Sequence, residues 1–387
     1  MPGVPERIDG LLALLKGVGR LEEPVEQALR AVPRHDFIPA LALVPDEEGL
    51  RAVNRDADPD GWWETVYADV SIVTQLDDGA TAFSAVGSGG VVRLPAGVDY
   101  TSSASAPSTV VGLLNLLDAE PGHRVLEVGT GTGWTAALLS RLVGDGGLVV
   151  SVEIDPAVAE QAAKNLTAAG HDRVRLVVGD GTGGHPEDGP YDRVHVTCGV
   201  RTVPQEWVEQ TRPGGVIVLP YVPGFGTGHE LRLIVTPDGF AHGRFSGFAS
   251  YMMMRSQRTP AGVLSYTRDH QATTTEVDPR AIGHAPAGAD LAVAARTGLY
   301  SRTLIWDDAY RLWVYEPGTC HAAAVTWTEG RRDIEVRQYG DRPVWDEVVD
   351  AYFQWVGWGQ PGRGRFGMTV APDGQRVWLD EPSRTIG

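Results

Sequence analysis

Acidic residues end three successive apolar runs in the middle of this chain, and a glycine-rich loop follows the first run. The stretch RVLEVGTGTGW (124–134) contains Glu127 and then three glycines at alternate positions. Glu153 ends the next apolar run, in VEID, and Asp180 closes the third, in VVGD. Carboxylates at neighbouring strand ends can accept hydrogen bonds from a nucleoside, and glycines let the backbone approach such a ligand closely. The pattern predicts a nucleoside-type cofactor site.

Two common uses of a glycine-rich loop do not suit this one. The dinucleotide fingerprint G-x-G-x-x-G/A, laid on Gly129 and Gly131, requires a small residue at position 134, where this chain has Trp134. A P-loop requires Gly-Lys-Ser/Thr after the loop, and the segment 129–134 contains no lysine. We therefore expect neither a dinucleotide nor a nucleoside triphosphate.

Each of these residues also has a structural explanation. Glycines after a strand can simply form a tight turn, Glu153 could cap the helix that begins near Pro156, and Asp180 could belong to an Asp-Gly turn. All of these explanations would have to hold together to remove the site. Trp134 is expected to pack at the start of its helix. Cys198 follows a strand, but no motif places His and acidic partners beside it, so a nucleophilic role is not favoured.

The apolar periodicity around these residues predicts alternating strands and helices. Helices are predicted over 22–31, from Pro107, after the glycines and from Pro156, and strands at RVLEV, LVVSVEI, VRLVVGD, YDRVHVTC and RPGGVIVLP. Residues 45–62, rich in Asp, Pro and Gly, are predicted to form an exposed connection. Strands and helices that alternate at this spacing predict an α/β fold with a doubly wound parallel sheet.

Composition limits the functions that the chain can have. Its 387 residues, 42% of them hydrophobic, suffice for one large domain with an appendage or for two domains. A formal charge of −17 disfavours a nucleic-acid partner, and the sequence has no apolar run long enough for a membrane span. The two cysteines, Cys198 and Cys320, have no metal-type spacing. We expect a soluble, cytoplasmic protein that binds no nucleic acid, membrane or metal.

The acid-x-Gly-x-Gly-x-Gly pattern over 127–133 resembles motif I of class I S-adenosylmethionine-dependent methyltransferases. The resemblance implies a Rossmann-like doubly wound sheet, here with a C-terminal extension, and S-adenosylmethionine as cofactor. It also implies that Glu153 holds the ribose hydroxyls and that Asp180 contacts the adenine amino group. The implied cofactor-binding residues are Glu127, Gly129, Thr130, Gly131, Gly133, Glu153, Ile154, Asp180 and Gly181.

Segments on both sides of this loop resemble one branch of these enzymes, the protein-L-isoaspartate O-methyltransferase family. The similar segments run collinearly from about residue 20 to residue 256 and include RAVPRHDFIP (30–39), YADV (67–70), SAPS (105–108), VGDGTGGHPEDGPYDRVHVT and RPGGVIVLP. By this resemblance Ser105 is the active-site serine beside the methyl donor. Ser105, Ala106 and Thr197 are the implied substrate-binding residues.

Two features depart from the repair enzymes of that family. The segment WWETVYADVSIVTQLDDG differs from their short glycine-rich approach to Ser105, and the chain continues for about 130 residues past their usual end. This architecture resembles the homologues associated with ATP-grasp (graspetide) peptide maturation. We expect an N-terminal helical or lid region (1–100), a methyltransferase core (101–256) and a substrate-recognition extension (257–387). The extension contains seven of the eleven tryptophans, which could fill a small core or grip a peptide.

The resemblance implies three hypotheses about function. The leading one is methylation of an aspartate side chain in an ATP-grasp-cyclised ribosomal precursor peptide, whose ester then collapses to an aspartimide. The second is general isoaspartate repair, and the third is a non-catalytic peptide-binding partner that retains the fold. An aspartate carboxyl has a pKa of roughly 3.9, so it is ionised at neutral pH and no general base is expected.

Overall fold

The computed structural model describes residues 3–18, 21–46, 49–83, 91–92, 98–258 and 269–387. The chain forms two compact units. The first unit comprises Met1–Cys198 and Glu206–Leu219, and the second comprises Gly199–Gln205 and Pro220–Gly387.

The chain up to residue 221 contains both helices and strands. The helices are α1 (Val4–Gly17), α2 (Glu23–Ala31), α3 (Pro59–Val66), α4 (Pro107–Leu117), α5 (Trp134–Val143), α6 (Pro156–Ala168) and α7 (Gln205–Glu209). The strands are β1 (Leu41–Asp46), β2 (Gly49–Asn54), β3 (Ile72–Leu76), β4 (Val91–Val92), β5 (Tyr100–Ala104), β6 (Arg124–Val128), β7 (Leu148–Glu153), β8 (Arg175–Val178), β9 (Tyr191–Val196) and β10 (Thr211–Tyr221).

The main sheet of the first unit is parallel, with the strand order β10-β9-β6-β7-β8. Its central strands are apolar on both faces and buried, as Leu126, Val150 and Val194 show, because helices cover parallel sheets on both sides. The predicted doubly wound α/β fold is therefore confirmed. Since the strands run in one direction, β6, β7 and β8 all end at the same edge of the sheet.

Local sequence signals explain where the helices at this edge begin. The side chain of Asp155 accepts hydrogen bonds from the backbone N–H groups of Ala157 and Val158, and Pro156 occupies the first turn of α6. Helix α5 begins after Gly133, which has a φ of +88°, and ends at Gly144. These residues determine where α5 and α6 begin after the ends of β6 and β7.

A second, smaller sheet in the first unit is antiparallel, with the order β4-β2-β1-β3-β5. The prediction of an exposed connection over 45–62 is wrong, because β1 and β2 pair as a hairpin there and α3 buries Trp62 completely. Alternate residues of the hairpin, such as Leu43 and Leu50, form a small apolar core with β3. The N-terminal region is thus a mixture of helices and strands.

The second unit contains helices α8 (Pro279–Gly283), α9 (Ala287–Thr297) and α10 (Val344–Gly357). Its strands are β11 (His229–Val235), β12 (Ala241–Phe248), β13 (Gln271–Thr275), β14 (Tyr300–Ile305), β15 (Ala309–Tyr315), β16 (Ala322–Thr328), β17 (Ile334–Tyr339), β18 (Phe366–Ala371) and β19 (Gly374–Leu379). One antiparallel sheet has the order β13-β17-β16-β15-β14, and residues of α8, α9 and α10 share an apolar core with it.

The compact units divide the chain earlier than the predicted boundary at residue 256. Strand β12 pairs antiparallel with β18, so residues 241–244 are hydrogen-bonded to the segment 367–370. This long-range pairing places β11 and β12 in the second unit. Four tryptophans of the predicted extension are buried, at positions 313, 345, 355 and 378, whereas Trp306 is 47% exposed.

The described residues contain neither a membrane-spanning helix nor a cluster of metal ligands. No helix in that part of the chain combines the length and the apolar character that a bilayer crossing requires. Nor do His, Cys, Asp and Glu side chains gather there in a group of three that could hold a metal ion.

Candidate active site

The glycine loop, residues 129–133, leaves the end of β6 in a conformation that favours glycine. Gly129, Gly131 and Gly133 have φ values of +97°, +55° and +88°. A Cβ atom on Gly129 would lie 2.5 Å from Oγ1 of Thr197, so a side chain there meets a neighbouring strand end. Among the described residues, the atom nearest to a Cβ atom on Gly131 would be the Ser103 carbonyl oxygen, at 3.4 Å. The loop therefore packs tightly at Gly129 and more openly at Gly131.

Glu153, the last residue of β7, connects this loop to the next strand. It is only 8% exposed. Its Oε2 atom accepts a hydrogen bond from the Gly131 N–H at 3.0 Å, and its Oε1 atom accepts one from the Asp155 N–H at 3.1 Å. Each carboxylate oxygen has two lone pairs, so each can accept one further donor. Glu153 can therefore hold the loop and two ligand hydroxyls together.

Glu127 is completely buried in β6. Its Oε2 atom accepts a hydrogen bond of 2.5 Å from the Ser151 hydroxyl, which also lies 2.6 Å from Oγ1 of Thr130. Its Oε1 atom has no hydrogen-bond partner among the described residues. Burial raises the pKa of Glu127 to about 8, so its carboxyl is mostly protonated at pH 7. In this structure the side chain supports Thr130 of the loop through Ser151.

Replacing Glu127 by Gln should change how stability depends on pH. Because the pKa in the folded protein is raised above the ordinary value of 4.5, this group stabilises the fold fully below about pH 4.5. That contribution is lost as the pH rises through about 8. From pH 5.5 to 8.0, urea unfolding should show Glu127→Gln gaining about 2–3 kcal/mol relative to wild type. The free energy of unfolding of the exposed control Glu206→Gln should depend on pH as that of wild type does. The same pH dependence in Glu127→Gln would contradict the raised pKa of Glu127.

Asp180 follows β8 and is exposed. Its Oδ1 atom accepts hydrogen bonds from the backbone N–H of Thr182 at 2.9 Å and from its hydroxyl at 2.8 Å, so the turn predicted as its structural explanation is present. Gly181 is buried, and a Cβ atom there would lie 2.5 Å from Val128 Cγ1. Ile154 is half-buried beside Glu153.

Cys198 lies just beyond β9, whose last residue is Val196. Burial raises the pKa of its thiol to about 12, and the negative charges of Glu153 and Asp180 add to the effect. The thiol is therefore protonated at neutral pH, which agrees with the prediction that Cys198 is not a nucleophile.

Ser105 lies between β5 and α4 and is half-buried. Its hydroxyl forms no hydrogen bond with the described part of the chain, whereas Asp69 Oδ1 accepts the Ser108 N–H at 2.8 Å. The N-cap position of α4 is occupied by Ala106, which has no capping side chain. Capping of α4 therefore does not account for Ser105, and its hydroxyl is available to a ligand.

Thr197 has a structural role that its sequence position did not indicate. Its hydroxyl donates to the backbone oxygens of Val128, at 3.1 Å, and Gly129. This contact holds the first residue of the glycine loop against the end of β9. A role of Thr197 in binding a peptide remains a prediction.

Two side chains that the sequence reasoning did not single out also support the site. Gln75 donates from Nε2 to Oδ2 of Asp155 at 3.2 Å and accepts from the Thr101 hydroxyl at 2.8 Å. Asn165 of α6 donates to the Thr132 carbonyl oxygen at 2.9 Å. Asp155 has a local signal, since Asp-Pro before an apolar periodic run is typical of a helix start. Gln75 and Asn165 have none.

The residues at this edge suit S-adenosylmethionine. The loop can approach a ligand at Gly131, and the buried Glu153 carboxylate has acceptor capacity for ribose hydroxyls. The exposed Asp180 lies at the next strand end, where a nucleoside base would follow the ribose. The class of protein is defined by three features together: the doubly wound sheet, the glycine loop and the acids at the strand ends. It is a class I S-adenosylmethionine-dependent methyltransferase.

Known proteins specify the family. Residues 90–233 match the family model described as Protein-L-isoaspartate(D-aspartate) O-methyltransferase (PCMT). The Protein-L-isoaspartate O-methyltransferase of Methanopyrus kandleri is 36% identical over 247 residues, 62% of this chain and 88% of that protein. Protein-L-isoaspartate O-methyltransferase 2 of Archaeoglobus fulgidus is 31% identical over 215 residues, 56% of this chain and 78% of that protein. This chain belongs to the protein-L-isoaspartate O-methyltransferase family, and it is a protein carboxyl methyltransferase that uses S-adenosylmethionine.

The fold likeness extends beyond the methyltransferase core. A solved structure titled protein-L-isoaspartate O-methyltransferase has a TM-score of 0.55 to this chain at 23% identity. The alignment covers 97% of this chain and all of that one, so it takes in most of the second unit. The long C-terminal part is therefore shared in fold with at least one solved structure bearing that title.

Proposed function

We propose that this enzyme methylates the side-chain carboxylate of an isoaspartyl residue in a peptide or protein. The observation that carries the proposal is the Ser105 hydroxyl, which forms no hydrogen bond within the described residues. It lies on a segment whose Ser103 carbonyl is beside Gly131 of the glycine loop. Two relatives of this chain are named protein-L-isoaspartate O-methyltransferases, and the alignments cover most of the length of each. The methyl acceptor would lie at Ser105, and the methyl donor at the loop and Glu153.

The proposed reaction needs positioning more than acid–base chemistry. When bound, S-adenosylmethionine supplies a methyl group on a positively charged sulfur, which makes that carbon electrophilic. A carboxylate oxygen of the peptide forms the new O–CH₃ bond while the S–CH₃ bond breaks, the sulfur keeps that electron pair, and no proton moves. The Ser105 hydroxyl would donate to the carboxylate and hold it in line. Alignment of two bound reactants is worth about 7–11 kcal/mol at best.

A second candidate acceptor is an ordinary aspartate in an ATP-grasp-cyclised ribosomal peptide. The segment that departs from the repair enzymes favours it, because that segment forms α3 and β3 and its Gln75 contacts Asp155 beside Glu153. This segment thus reaches the cofactor side of the site. After methylation, the following backbone nitrogen would displace methanol and close an aspartimide.

Paired substrates distinguish the two candidates. Wild-type enzyme is incubated with S-adenosylmethionine and an isoaspartyl peptide, its aspartyl isomer, or a precursor peptide before and after ATP-grasp cyclisation, and the products are weighed. We expect methylation of the isoaspartyl peptide and not of its isomer. Preference for the cyclised precursor would establish the second candidate instead. No product from any of them, with no binding of S-adenosylmethionine in calorimetry, would favour the non-catalytic hypothesis.

Ser105→Ala should lower kcat on the preferred substrate by about tenfold or more, because a lost hydrogen bond to a charged group costs about 1.5–3 kcal/mol. Affinity for S-adenosylmethionine, measured by calorimetry, should stay within about twofold of wild type, since the cofactor contacts lie on other residues. Ser108→Ala, at the second residue of α4, is the matched control and should retain wild-type kcat. Equal rates for Ser105→Ala and wild type would remove Ser105 from the reaction.

A further inference from the structure

Arg34, in the PRHDF segment, is a buried cation that the reaction above does not use. Only 1% of its surface is exposed. Its two terminal nitrogens donate to five backbone carbonyl oxygens at distances of 2.9–3.3 Å, those of Val66, Ala68, Val70, Ala104 and Ser105. The planar guanidinium, with donors fanning out from one centre, is suited to join several carbonyls at once.

These five carbonyls belong to two separate segments of the chain. Residues 66–70 begin at the last residue of α3, and residues 104–105 run from the last residue of β5 toward α4. Asp69 of the first segment also accepts the Ser108 N–H of α4. The guanidinium therefore holds the backbone of Ser105 itself, at 2.9 Å, and ties it to the segment that caps the following helix.

Arg34 also contacts the element that begins at the glycine loop. Its Cζ atom lies 5.3 Å from the centre of the Trp134 ring, the first residue of α5. The Trp134 Nε1–H donates to the Val32 carbonyl oxygen at 3.2 Å, two residues before Arg34. One side chain thus links the serine-bearing segment with the start of the helix that follows Gly133.

We propose that Arg34 is a positioning residue that fixes Ser105 relative to the glycine loop and so sets the alignment of methyl acceptor and methyl donor. The inference rests on the proposed function for the role of Ser105. Burial lowers the pKa of Arg34 to about 9, which leaves it positively charged at pH 7. A buried cation without a carboxylate hydrogen-bonded to it is costly, and apolar packing would stabilise a core at lower cost. Because the guanidinium joins carbonyls of two segments, we assign it to holding those segments together, and not to stabilising the core.

Arg34→Lys tests the role, because a lysine ammonium has three N–H donors at a single nitrogen and cannot replace a fork that serves five carbonyls. We expect kcat to fall at least about tenfold, while the affinity for S-adenosylmethionine in calorimetry stays within about threefold. The matched control is Arg193→Lys. Arg193 is also a buried arginine that donates to backbone carbonyls, those of Leu117, Asp118 and Asp192, but it does so at the far end of α4.

The comparison of the two variants separates positioning from stability. Both should melt at lower temperature, but only Arg34→Lys should lose turnover, measured well below either melting temperature. Equal losses of kcat in both variants, or none in Arg34→Lys, would overturn the proposal. If Arg34→Lys does not fold, Asp69→Ala loosens the same segment by removing the cap of α4, and it should lower kcat with donor affinity retained. Wild-type enzyme that methylates no peptide would instead count against the proposed function.

Discussion

Glu153→Ala is expected to weaken binding of S-adenosylmethionine by roughly 10- to 150-fold, the equivalent of about 1.5–3 kcal/mol for hydrogen bonds to a charged group. Two losses add to each other in this variant. The ligand loses the acceptor for its ribose hydroxyls, and the Gly131 N–H and Asp155 N–H lose the carboxylate oxygens that now hold them. Because Glu153 is 8% exposed, water replaces these partners poorly.

Calorimetric titration with S-adenosylmethionine measures the effect, with circular dichroism to show that the variant is folded. Asp180→Ala is the graded comparison, since the Asp180 carboxylate is exposed and water can take its place. Its loss should be smaller, about 1 kcal/mol. Unchanged affinity in both variants would show that the strand-end acids do not bind the cofactor. A larger loss in Asp180→Ala would reverse their order of importance.

Gly129→Ala is expected to disrupt the glycine loop as a whole. The backbone of Gly129 has a φ of +97°, which a residue with a Cβ atom adopts at a cost of about 1–2 kcal/mol. The new methyl group would also lie 2.5 Å from Oγ1 of Thr197, whose hydroxyl donates to the loop. Either the end of β9 or the loop must shift, so we expect a lower melting temperature and at least tenfold weaker cofactor binding.

Gly170→Ala is a matched control for the backbone part of this effect. Gly170 has a φ of +78°, and no atom of the described residues lies within 4 Å of an added Cβ atom. It should lose stability by about 1 kcal/mol and keep wild-type cofactor affinity. Combining Gly129→Ala with Thr197→Gly should restore part of the lost affinity, because it removes the clashing side chain. Equal behaviour of Gly129→Ala and Gly170→Ala would show that close packing at Gly129 is unimportant.

The sequence alone was sufficient to predict the fold of the parallel sheet and the edge at which the site lies. Apolar runs of strand length, Asp155 and Pro156 at a helix start, and Gly144 at a helix end are local signals, and each corresponds to an observed boundary. Since parallel strands end at one edge, Glu127, Glu153 and Asp180 could be grouped without a structure. Burial of Trp134 also followed from its large apolar ring at a helix start.

Only the tertiary structure decided what each side chain does at that edge. Glu127 and Glu153 have the same side chain and comparable positions at the ends of apolar runs. Glu127 is completely buried and its pKa is raised, whereas Glu153 accepts a hydrogen bond from the loop. That difference depends on Ser151 and on the surrounding core. Burial and neighbouring dipoles are properties of the packed molecule, so no local pattern distinguishes the two acids.

Contacts between distant segments decided the features that local sequence signals did not predict. The hairpin of β1 and β2 forms within a segment rich in turn residues, because its alternate apolar side chains find a core with β3. The boundary between the compact units depends on β12 pairing with β18, more than 100 positions away. Arg34 joins segments that lie 32–71 residues from it in sequence. Sequence periodicity therefore determined the elements and the strand ends that carry the acids, whereas contacts between distant segments determined the domain boundary, the support of Ser105 and the roles within the site, because such contacts exist only after the chain has folded.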